Sequence, residues 1–510
     1  MVGDDTRDVG TLPDGWVWIN FTDSTSIVST TDRKVKQRDY LSSGELPVIG
    51  QGQELIGGYT NDAEKRVECE LPVIIFGDHT KTLKYVDFNF VAGADGIKII
   101  KPFAAFDPKL FFYFLHRLDL PDRGYSRHFQ FLRKEILPLP PLPEQRRIVA
   151  EIETQFTRLE AGVAALRRAQ ANLRRYRVSV LKAACEGRLV PTEAALARAE
   201  GRDYEPADAL LARVLAGRRA RWEADHAGKR YKAPATPDTE GLPELPEGWV
   251  WASVKQLGAL GEQPVLTGPF GTKLGRSDFI ESGVPVLTIG CLTDRGLSME
   301  KANFVSDEKA ADLSRYRVES GDLLFSRMAT VGRADLVSPR FEGAIINYHL
   351  MRLRLASEAI DPAYFISYVR GSGTVVDYLE KINHGVTRPG INTKQLLGMP
   401  VALAPLIEQH RIVAEVERRL SVVGELEKQV EAALRRAERL RQAVLKRAFE
   451  GRLVPQDPAD EPASALLARI RAGKAGREAG KKPPKRGRRK RTRNRVQEAE
   501  EEKPQQKRLL

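Results

Sequence analysis

Two segments of the chain repeat apolar residues at alternating steps of three and four. The first lies within residues 142–191 and the second within residues 406–455, and charged residues fill most of the remaining positions. This spacing places the apolar side chains along one stripe of an α-helix. Each segment follows a proline-rich entry and ends near Gly187 or Gly451, as helices commonly do. The pattern predicts two helices of about forty residues, each roughly 60 Å long.

The two predicted helices are copies of one segment. Residues 142–191 align without a gap to residues 406–455, with 22 of 50 positions identical. The motif Leu-Pro-Asp/Glu-Gly-Trp also occurs twice, ending at Trp16 and at Trp249. Because a narrow apolar stripe on so long a helix must be covered, we expect the copies to pair, and their two-fold relation favours an antiparallel pair. The alternative is an ordinary helical bundle, although no other long helical pattern would complete it.

The segments between the repeats differ in length and in sequence. Residues 20–136 and 253–398 each have the pattern of short strands and glycine-rich turns, with predicted helices at Asp107–Leu118 and from Pro362 to about Arg370. The predicted fold class is therefore α+β. Two globular α/β domains are joined by two long antiparallel coiled-coil helices, with a pseudo-two-fold internal repeat.

The repeats also define the predicted domain boundaries. The parts are a first domain at 1–141, a central helix at 142–191, a helical linker at 192–244, a second domain at 245–405, a second long helix at 406–455, a short helical repeat at 456–473 and a basic tail at 474–510.

Charge and composition bear on three features: a basic tail, a structural metal site and a membrane span. The formal net charge is +13, but residues 474–495 alone carry a net +11, so we expect a disordered basic tail behind a nearly neutral body. The three cysteines are far apart and show no metal-ligand spacing, and no apolar run is long enough to cross a bilayer. We expect a cytoplasmic protein without a structural metal.

The sequence motifs that could indicate catalysis are incomplete or lack the required spacing. The glycine-rich loops have neither the Gly-x-x-x-x-Gly-Lys-Ser/Thr nor the Gly-x-Gly-x-x-Gly spacing of nucleotide-binding loops. Asp78 and His79 are adjacent but have no nucleophile near them in sequence. The run Asp361-Pro-Ala-Tyr364 differs from the Asn/Asp-Pro-Pro-aromatic motif of amino-methyltransferases by lacking the second proline, and it is interpreted as a helix N-cap. The glycine-rich turns carry hydroxyl, amide and basic groups, which suit DNA contacts.

Taken together, these motifs resemble the specificity subunit of type I restriction-modification enzymes. The resemblance rests on the paired Leu-Pro-Asp/Glu-Gly-Trp, Glu-Gln-x-Arg-Ile-Val and Glu-Gly-Arg-Leu-Val-Pro motifs and covers the chain to about residue 475. Within the domains, Phe76-Gly-Asp-His-Thr80 resembles one type of family member. Thr267-Gly-Pro-Phe-Gly271 and Gly321-Asp-Leu-Leu-Phe-Ser-Arg327 resemble another. The basic tail departs from the usual pattern.

The resemblance implies a non-catalytic subunit. Each domain would be a target recognition domain that reads one half of a split site in double-stranded DNA. The paired helices would set the spacing and dock two methyltransferase subunits. S-adenosylmethionine would then bind to the methyltransferase partners, and ATP and Mg²⁺ to partner subunits such as an accompanying restriction and translocation subunit, leaving this chain without a cofactor or metal. The alternative is a coiled-coil scaffold that binds protein partners and reads no DNA sequence.

Four charged residues lie at the starts of the long helices. Glu144, Arg147, Glu408 and Arg411 either contact a partner subunit or cap and solvate the helix starts.

The candidates for contact with DNA bases are chosen by their position in loops and their polar side chains. The candidates for DNA contact in the first domain are Tyr59, Thr60, His79, Thr80, Tyr125, Arg127 and His128, and in the second domain Thr272, Lys273, Arg327, Thr330, Arg333, His384, Thr387 and Arg388.

Overall fold

The computed structural model of the chain describes residues 11–30, 33–93, 96–121, 124, 126–259, 263–293, 296–328, 331–385 and 389–479. The chain forms two compact units. Unit 1 comprises Met1–Ala161 and Ala437–Leu510, and unit 2 comprises Gly162–Arg436. The boundary between the units therefore passes through the repeated helices, so each unit holds one inserted domain and a part of both helices.

The first domain, in unit 1, contains two four-stranded sheets. Its elements are β1 (Val17–Asn20), α1 (Phe21–Ser24), β2 (Thr25–Val28), β3 (Lys34–Val35), β4 (Leu46–Ile49), β5 (Gly58–Thr60), β6 (Val73–Gly77), β7 (Leu83–Val86), β8 (Val91–Gly93), β9 (Ile97–Pro102), α2 (Pro108–Leu115), α3 (Phe129–Leu132) and β10 (Ile136–Leu139). The order β2-β9-β6-β7 is antiparallel throughout, and β3-β8-β4-β5 is mixed. The predicted helix is confirmed as α2, whose N-cap Asp107 accepts hydrogen bonds from Lys109 N and Leu110 N.

Three helices follow the first domain. They are α4 (Leu142–Cys185), α5 (Glu193–Glu200) and α6 (Ala207–Asp225). Helix α4 therefore ends at Cys185 rather than continuing to residue 191. The predicted linker is helical only in its first part, since no helix or strand lies between Asp225 and the next strand at Val250.

The second domain, in unit 2, also has a fully antiparallel four-stranded sheet. Its elements are β11 (Val250–Ser253), α7 (Val254–Leu257), β12 (Val265–Thr267), β13 (Val284–Leu287), β14 (Leu292–Thr293), β15 (Gly296–Leu297), β16 (Asn303–Val305), α8 (Asp307–Asp312), β17 (Leu323–Ser326), β18 (Ala334–Leu336), β19 (Ile345–Ile346), β20 (Leu350–Leu353), α9 (Pro362–Gly371), α10 (Gly373–Asn383), α11 (Thr393–Gly398) and β21 (Pro400–Leu403). The antiparallel order is β12-β20-β17-β18, beside a smaller mixed sheet β16-β13-β19. Asp361 caps α9, as the sequence predicts.

The second long helix is α12 (Leu406–Phe449), and the last described helix is α13 (Ala463–Ala479). In unit 2, Arg177 of α4 donates to Glu427 of α12 at 3.1 Å. In unit 1, Arg441 of α12 donates to Glu160 of α4 at 3.0 Å. Earlier residues of α4 thus meet later residues of α12, so the predicted antiparallel pairing is confirmed. Helix α13 extends past the predicted start of the tail at residue 474, and residues 480–510 lie outside the described part of the chain.

A two-stranded ladder leads into each long helix. In unit 1, β1 pairs antiparallel with β10, and in unit 2, β11 pairs antiparallel with β21. Each ladder joins the strand after a tryptophan motif to the strand before a long helix. The repeated motifs at the two ends of each domain are therefore neighbours in space, because one antiparallel pair brings them together.

The ends of the long helices contact the tryptophan motifs. Arg188 N donates to Ala183 O at 2.9 Å, and Gly187 has a φ of +64°, which is the usual glycine-terminated helix end. A Cβ at Gly187 would lie 2.6 Å from a ring carbon of Pro246 and 3.3 Å from Trp249. In unit 1, Gly451 lies against Pro13 and Trp16 in the same manner. Glycine is needed at both positions for its left-handed backbone and for this close approach.

Gly371 provides a test of how α9 packs on α4. A Cβ there would lie 2.6 Å from the backbone carbonyl of Leu181, whereas a Cβ at Gly373 would meet nothing within 4 Å. We expect Gly371→Val to lower the free energy of unfolding by about 2–3 kcal/mol, because backbone atoms cannot yield without moving the helices. Urea denaturation should show this loss, and Gly373→Val should change stability by less than about 0.5 kcal/mol. Equal stability of the two variants would contradict this packing.

Candidate nucleic-acid interface

A buried carboxylate at the start of α12 holds the second tryptophan motif. Trp249 Nε1 donates to Glu408 Oε1 at 3.0 Å, and the backbone N of Glu193 donates to Glu408 Oε2 at 2.8 Å. Burial raises the pKa of the Glu408 carboxyl above its ordinary value, although these hydrogen bonds oppose the shift. Arg411 completes the arrangement through an ion pair with Glu193 at 2.5 Å. We refer to Trp249, Glu408, Glu193 and Arg411 as the unit 2 latch.

Unit 1 repeats the tryptophan and arginine contacts of this arrangement, but Glu144 Oε1 is buried and has no hydrogen-bond partner in the described residues. Trp16 Nε1 donates to Glu144 Oε2 at 2.9 Å, and Arg147 pairs with Asp460 at 2.7 Å. Asp460 therefore takes the place that Glu193 has in unit 2. Burial raises the pKa of the Glu144 carboxyl, against the opposing hydrogen bond from Trp16. Trp16, Glu144, Arg147 and Asp460 form the unit 1 latch.

The glutamine after each latch glutamate ties the domain to the helix. Gln145 is fully buried, donates to Ala105 O at 2.8 Å and Pro140 O at 2.9 Å, and accepts from Asp107 N at 2.6 Å. Gln409 makes the corresponding bonds to Ala359 O, Ala404 O and Asp361 N, at 3.2, 2.8 and 2.8 Å. In both units, therefore, the glutamine donates to two backbone carbonyls and accepts from one backbone N–H. This role of the glutamines was not predicted from the sequence, although the repeated Glu-Gln pair marks both positions.

The latches give the four helix-start residues contacts within their own units, and burial contradicts the prediction of partner contact for the two glutamates. Glu144 and Glu408 are 1% and 0% exposed, so neither carboxylate faces a partner subunit. Arg147 and Arg411 are partly exposed, but each is paired within its own unit. These residues therefore attach each domain and its flanking segments to a helix. The physical reason is that the tryptophan N–H needs an acceptor when its ring is buried.

The first domain exposes some of its nominated residues and buries others. Thr80 and Arg127 are exposed, while Tyr59 and His79 are partly buried. The Thr80 hydroxyl donates to Gln51 O at 2.7 Å. Thr60 is 8% exposed, and its hydroxyl accepts from Asp62 N at 3.2 Å. Tyr125 lies outside the described residues.

Among the residues of the first domain that were predicted to contact DNA, His128 is the least accessible. Its side chain is 0% exposed, and its Nδ1 lies 3.0 Å from the backbone oxygen of Asp78. The Asp78 carboxylate accepts from the neighbouring Phe129 N at 2.8 Å. His128 and Asp78 therefore connect α3 to the end of β6 inside the domain, and His128 does not present its ring to a base.

In the second domain, Lys273 and His384 are exposed, and Arg327 and Arg333 are partly buried. Arg333 Nη1 donates to Leu292 O at 3.0 Å, which holds its side chain against the domain. For Thr272 only the backbone is described. Thr330, Thr387 and Arg388 lie outside the described residues. Lys273, Arg327 and His384 remain predictions as DNA contacts; Lys273 ends a short 3-10 helix, and Arg327 directly follows β17.

An exposed aromatic pair lies beside Arg327 and was not among the nominated residues. Phe270 is 54% exposed and Tyr348 is 42% exposed, with ring centroids 6.2 Å apart. The Arg327 guanidinium lies 5.1 Å from the centre of the Phe270 ring. Two adjoining exposed rings with a cation provide apolar surface and hydrogen-bond donors, which is a combination that nucleic-acid interfaces use. The signal in the sequence was Phe270 itself, within Thr-Gly-Pro-Phe-Gly.

The paired helices also expose apolar side chains in unit 2. Tyr176 and Val178 of α4 are 44% and 64% exposed, and Val422 and Leu426 of α12 are 54% and 42% exposed. The spacing of four residues places Val422 and Leu426 on one face of α12. These four residues, the exposed helix residues, replace the latch residues as candidates for contact with a partner.

Neither a metal site nor a membrane span is found in the described residues. They contain no group of three or more His, Cys, Asp or Glu side chains that could hold a metal ion. Likewise, no described helix combines the length and apolar character needed to cross a membrane.

The chain is similar to known proteins over most of its length. The sequence model of the type I restriction modification DNA specificity domain matches residues 268–436, which include most of the second domain and the first part of α12. The chain is 27% identical over 358 residues to the EcoBI specificity subunit of Escherichia coli, covering 68% of this chain and 65% of that relative. It is 23% identical over 508 residues to the EcoKI specificity subunit of Escherichia coli strain K12, covering 91% of this chain and 97% of that relative.

A solved structure shows the same fold. One chain from a study of complex assembly and conformational transition in a type I R-M system has a TM-score of 0.56 and 18% sequence identity to this chain. The match covers 87% of this chain and all of that chain. The likeness therefore extends to both inserted domains and the long helices as a type of fold.

Proposed function

We propose that this chain is a type I restriction-modification DNA specificity subunit and that it selects the DNA sequence on which a modification complex acts. Each inserted domain reads one half of a split site in double-stranded DNA. The observation that carries this proposal is the repeated latch. The same tryptophan, carboxylate, glutamine and arginine contacts attach two domains whose loops have different sequences.

The two domains offer different side chains to DNA. The first domain exposes Thr80 and Arg127, whereas the second exposes Lys273 and the Phe270–Tyr348 pair beside Arg327. Hydroxyl and basic side chains hydrogen-bond to phosphates and base edges, and aromatic rings make apolar contact with bases. Two unlike contact surfaces on one repeated frame suit an asymmetric, two-part recognition site.

The exposed helix residues support a docking role for the long helices. Isolated apolar side chains are ordinary at protein surfaces, but several on the same stretch of paired helices favour a protein contact. We assign this surface to a methyltransferase subunit. In this proposal the partner subunits carry S-adenosylmethionine, ATP and Mg²⁺, and this chain contributes recognition and assembly.

A genome-wide map of adenine methylation tests the proposal. We expect a split motif in the host that disappears when the gene is deleted and returns with the intact gene. Complementation with the double variant Thr80→Ala and Arg127→Ala should relax or change only one half of that motif, because both side chains belong to the first domain. Each lost base contact should reduce discrimination by about 1–3 kcal/mol.

Two results would contradict the proposal. Relaxation of both halves by the first-domain variant would show that the domains do not read separate half-sites. An unchanged map after deletion, with the methyltransferase expressed and active, would favour the coiled-coil scaffold that binds only proteins.

A further inference from the structure

Three loops of the second domain meet at one edge of its antiparallel sheet. Strands β12 and β17 both pair with β20, with Thr267 opposite Met351 and Ser326 opposite Leu350. Because β20 runs opposite to both neighbours, the ends of β12 and β17 lie beside its beginning. This edge therefore collects Phe270, Arg327, Tyr348 and His349, which we call the Arg327 cluster.

The backbone around the cluster is held closely. Gly268 N donates to Leu350 O at 3.2 Å, and a Cβ on Gly268 would collide with the backbone of Asn347. Arg327 N donates to His349 O at 2.9 Å, and the Asn347 side chain accepts from His349 N at 3.1 Å. The loops are therefore fixed to one another before any ligand binds, which limits the entropy lost on binding.

Arg327 is oriented by two contacts. Its guanidinium lies over the Phe270 ring, and its Nη1 donates to Tyr348 O at 3.3 Å. Its Nε is buried and has no hydrogen-bond partner in the described part of the chain, so a ligand would meet the Nη groups of the guanidinium instead. Burial, and then the charge of Arg327, lower the pKa of His349, so this histidine is neutral at neutral pH. The cluster thus presents a positioned arginine beside two exposed rings.

We propose that Arg327 reads a guanine in the half-site of the second domain, while Phe270 and Tyr348 pack against the neighbouring base. The inference rests on the proposed function, since it assumes that this domain contacts DNA. A guanidinium donates two parallel hydrogen bonds to O6 and N7 of guanine in the major groove. Because the guanidinium carbon lies over the Phe270 ring and Nε is buried, the Nη groups are the donors for that contact.

Two other ligands fit parts of the cluster less well. A DNA phosphate would satisfy the arginine but would leave two exposed aromatic rings without an apolar contact. A protein surface would cover the rings but does not call for a planar donor held in a fixed position beside them. A base with its neighbour matches both features, because base edges accept hydrogen bonds and base faces and methyl groups are apolar.

The test uses the specificity chain bound to its methyltransferase subunits and a duplex that carries its methylated motif. Each guanine of the second half-site is replaced in turn by 7-deazaguanine, which lacks the N7 acceptor. We expect one replacement to weaken binding by the intact complex roughly 5- to 150-fold. With Arg327→Ala, the unmodified duplex should bind more weakly by a similar factor, and that replacement should have no further effect.

Arg340 offers a matched control. Its guanidinium lies 4.4 Å from the centre of the Phe341 ring, and its Nη2 donates to Leu297 O at 2.7 Å, so it makes the same two kinds of contact as Arg327 but lies outside the cluster. The Arg340→Ala complex should keep the full effect of 7-deazaguanine. Circular dichroism and complex assembly should be unchanged in both arginine variants.

Several outcomes would overturn the inference. Equal binding of every 7-deazaguanine duplex by the intact complex would exclude recognition of guanine N7. If Arg327→Ala weakened binding to all duplexes equally while a 7-deazaguanine effect persisted, Arg327 would be a phosphate contact. Loss of assembly with Arg327→Ala would show a protein contact. An assembled complex that prefers no sequence would instead contradict the proposed function.

Discussion

Replacing Trp249 with alanine should lower the free energy of unfolding of unit 2 by about 4–6 kcal/mol. Removing a buried tryptophan side chain costs about 3–5 kcal/mol through lost apolar contacts and the cavity that remains. The variant also removes the donor to Glu408 Oε1 in the interior, and an unsatisfied buried acceptor costs about 1–3 kcal/mol. This is the largest loss of stability that we expect from a single substitution in the chain.

Hydrogen exchange locates the effect of Trp249→Ala. Peptides covering residues 186–193 and 406–416 should lose protection, because both segments depend on the latch. The matched variant Trp16→Ala should instead lower the protection from hydrogen exchange of peptides around Glu144 and Asp460 in unit 1. Trp222→Ala is a control with a smaller effect, since Trp222 is partly exposed and stacks on His226 at 4.6 Å. Equal loss of protection in both units from either latch variant would disprove independent latches.

The double variant Val422→Asp and Leu426→Asp should abolish stable capture of the methyltransferase subunit. Both side chains are exposed on one face of α12, so the free chain should remain folded. In a complex, two uncompensated carboxylates would lie in an apolar contact, at a cost of several kcal/mol. We expect affinity for the methyltransferase to fall at least a hundredfold and methylation of the genomic motif to be lost.

Val376→Asp is the matched control for the docking surface. Val376 is 52% exposed on α10 of the second domain, which makes it similar in exposure to Val422. This control should leave association with the methyltransferase unchanged. Association is measured by size-exclusion chromatography and by titration of the purified subunits. Normal association of the double variant, or equal weakening by the control, would exclude the exposed helix residues as the docking surface.

The sequence determined the frame of this protein. The period of apolar residues along α4 and α12 and the duplicated motifs around Trp16 and Trp249 predicted two paired helices and two inserted domains. These features are readable because helical periodicity and duplication are properties of neighbouring positions in one chain. The N-cap prediction at Asp361 succeeded for the same reason, since an N-cap acts within one turn.

Which polar side chains are available to a ligand depends on contacts between distant parts of the chain. Glu144 accepts from Trp16, 128 positions away, and Glu408 accepts from Trp249, 159 positions away. The sequence around His128 did not reveal its hydrogen bonds with the backbone oxygen of Asp78, 50 positions away. The Arg327 cluster likewise depends on three loops meeting at one sheet edge. Burial and neighbouring charge arise from these distant contacts. Local residue type therefore predicted the recognition domains, but it could not predict which of their side chains are accessible to a ligand.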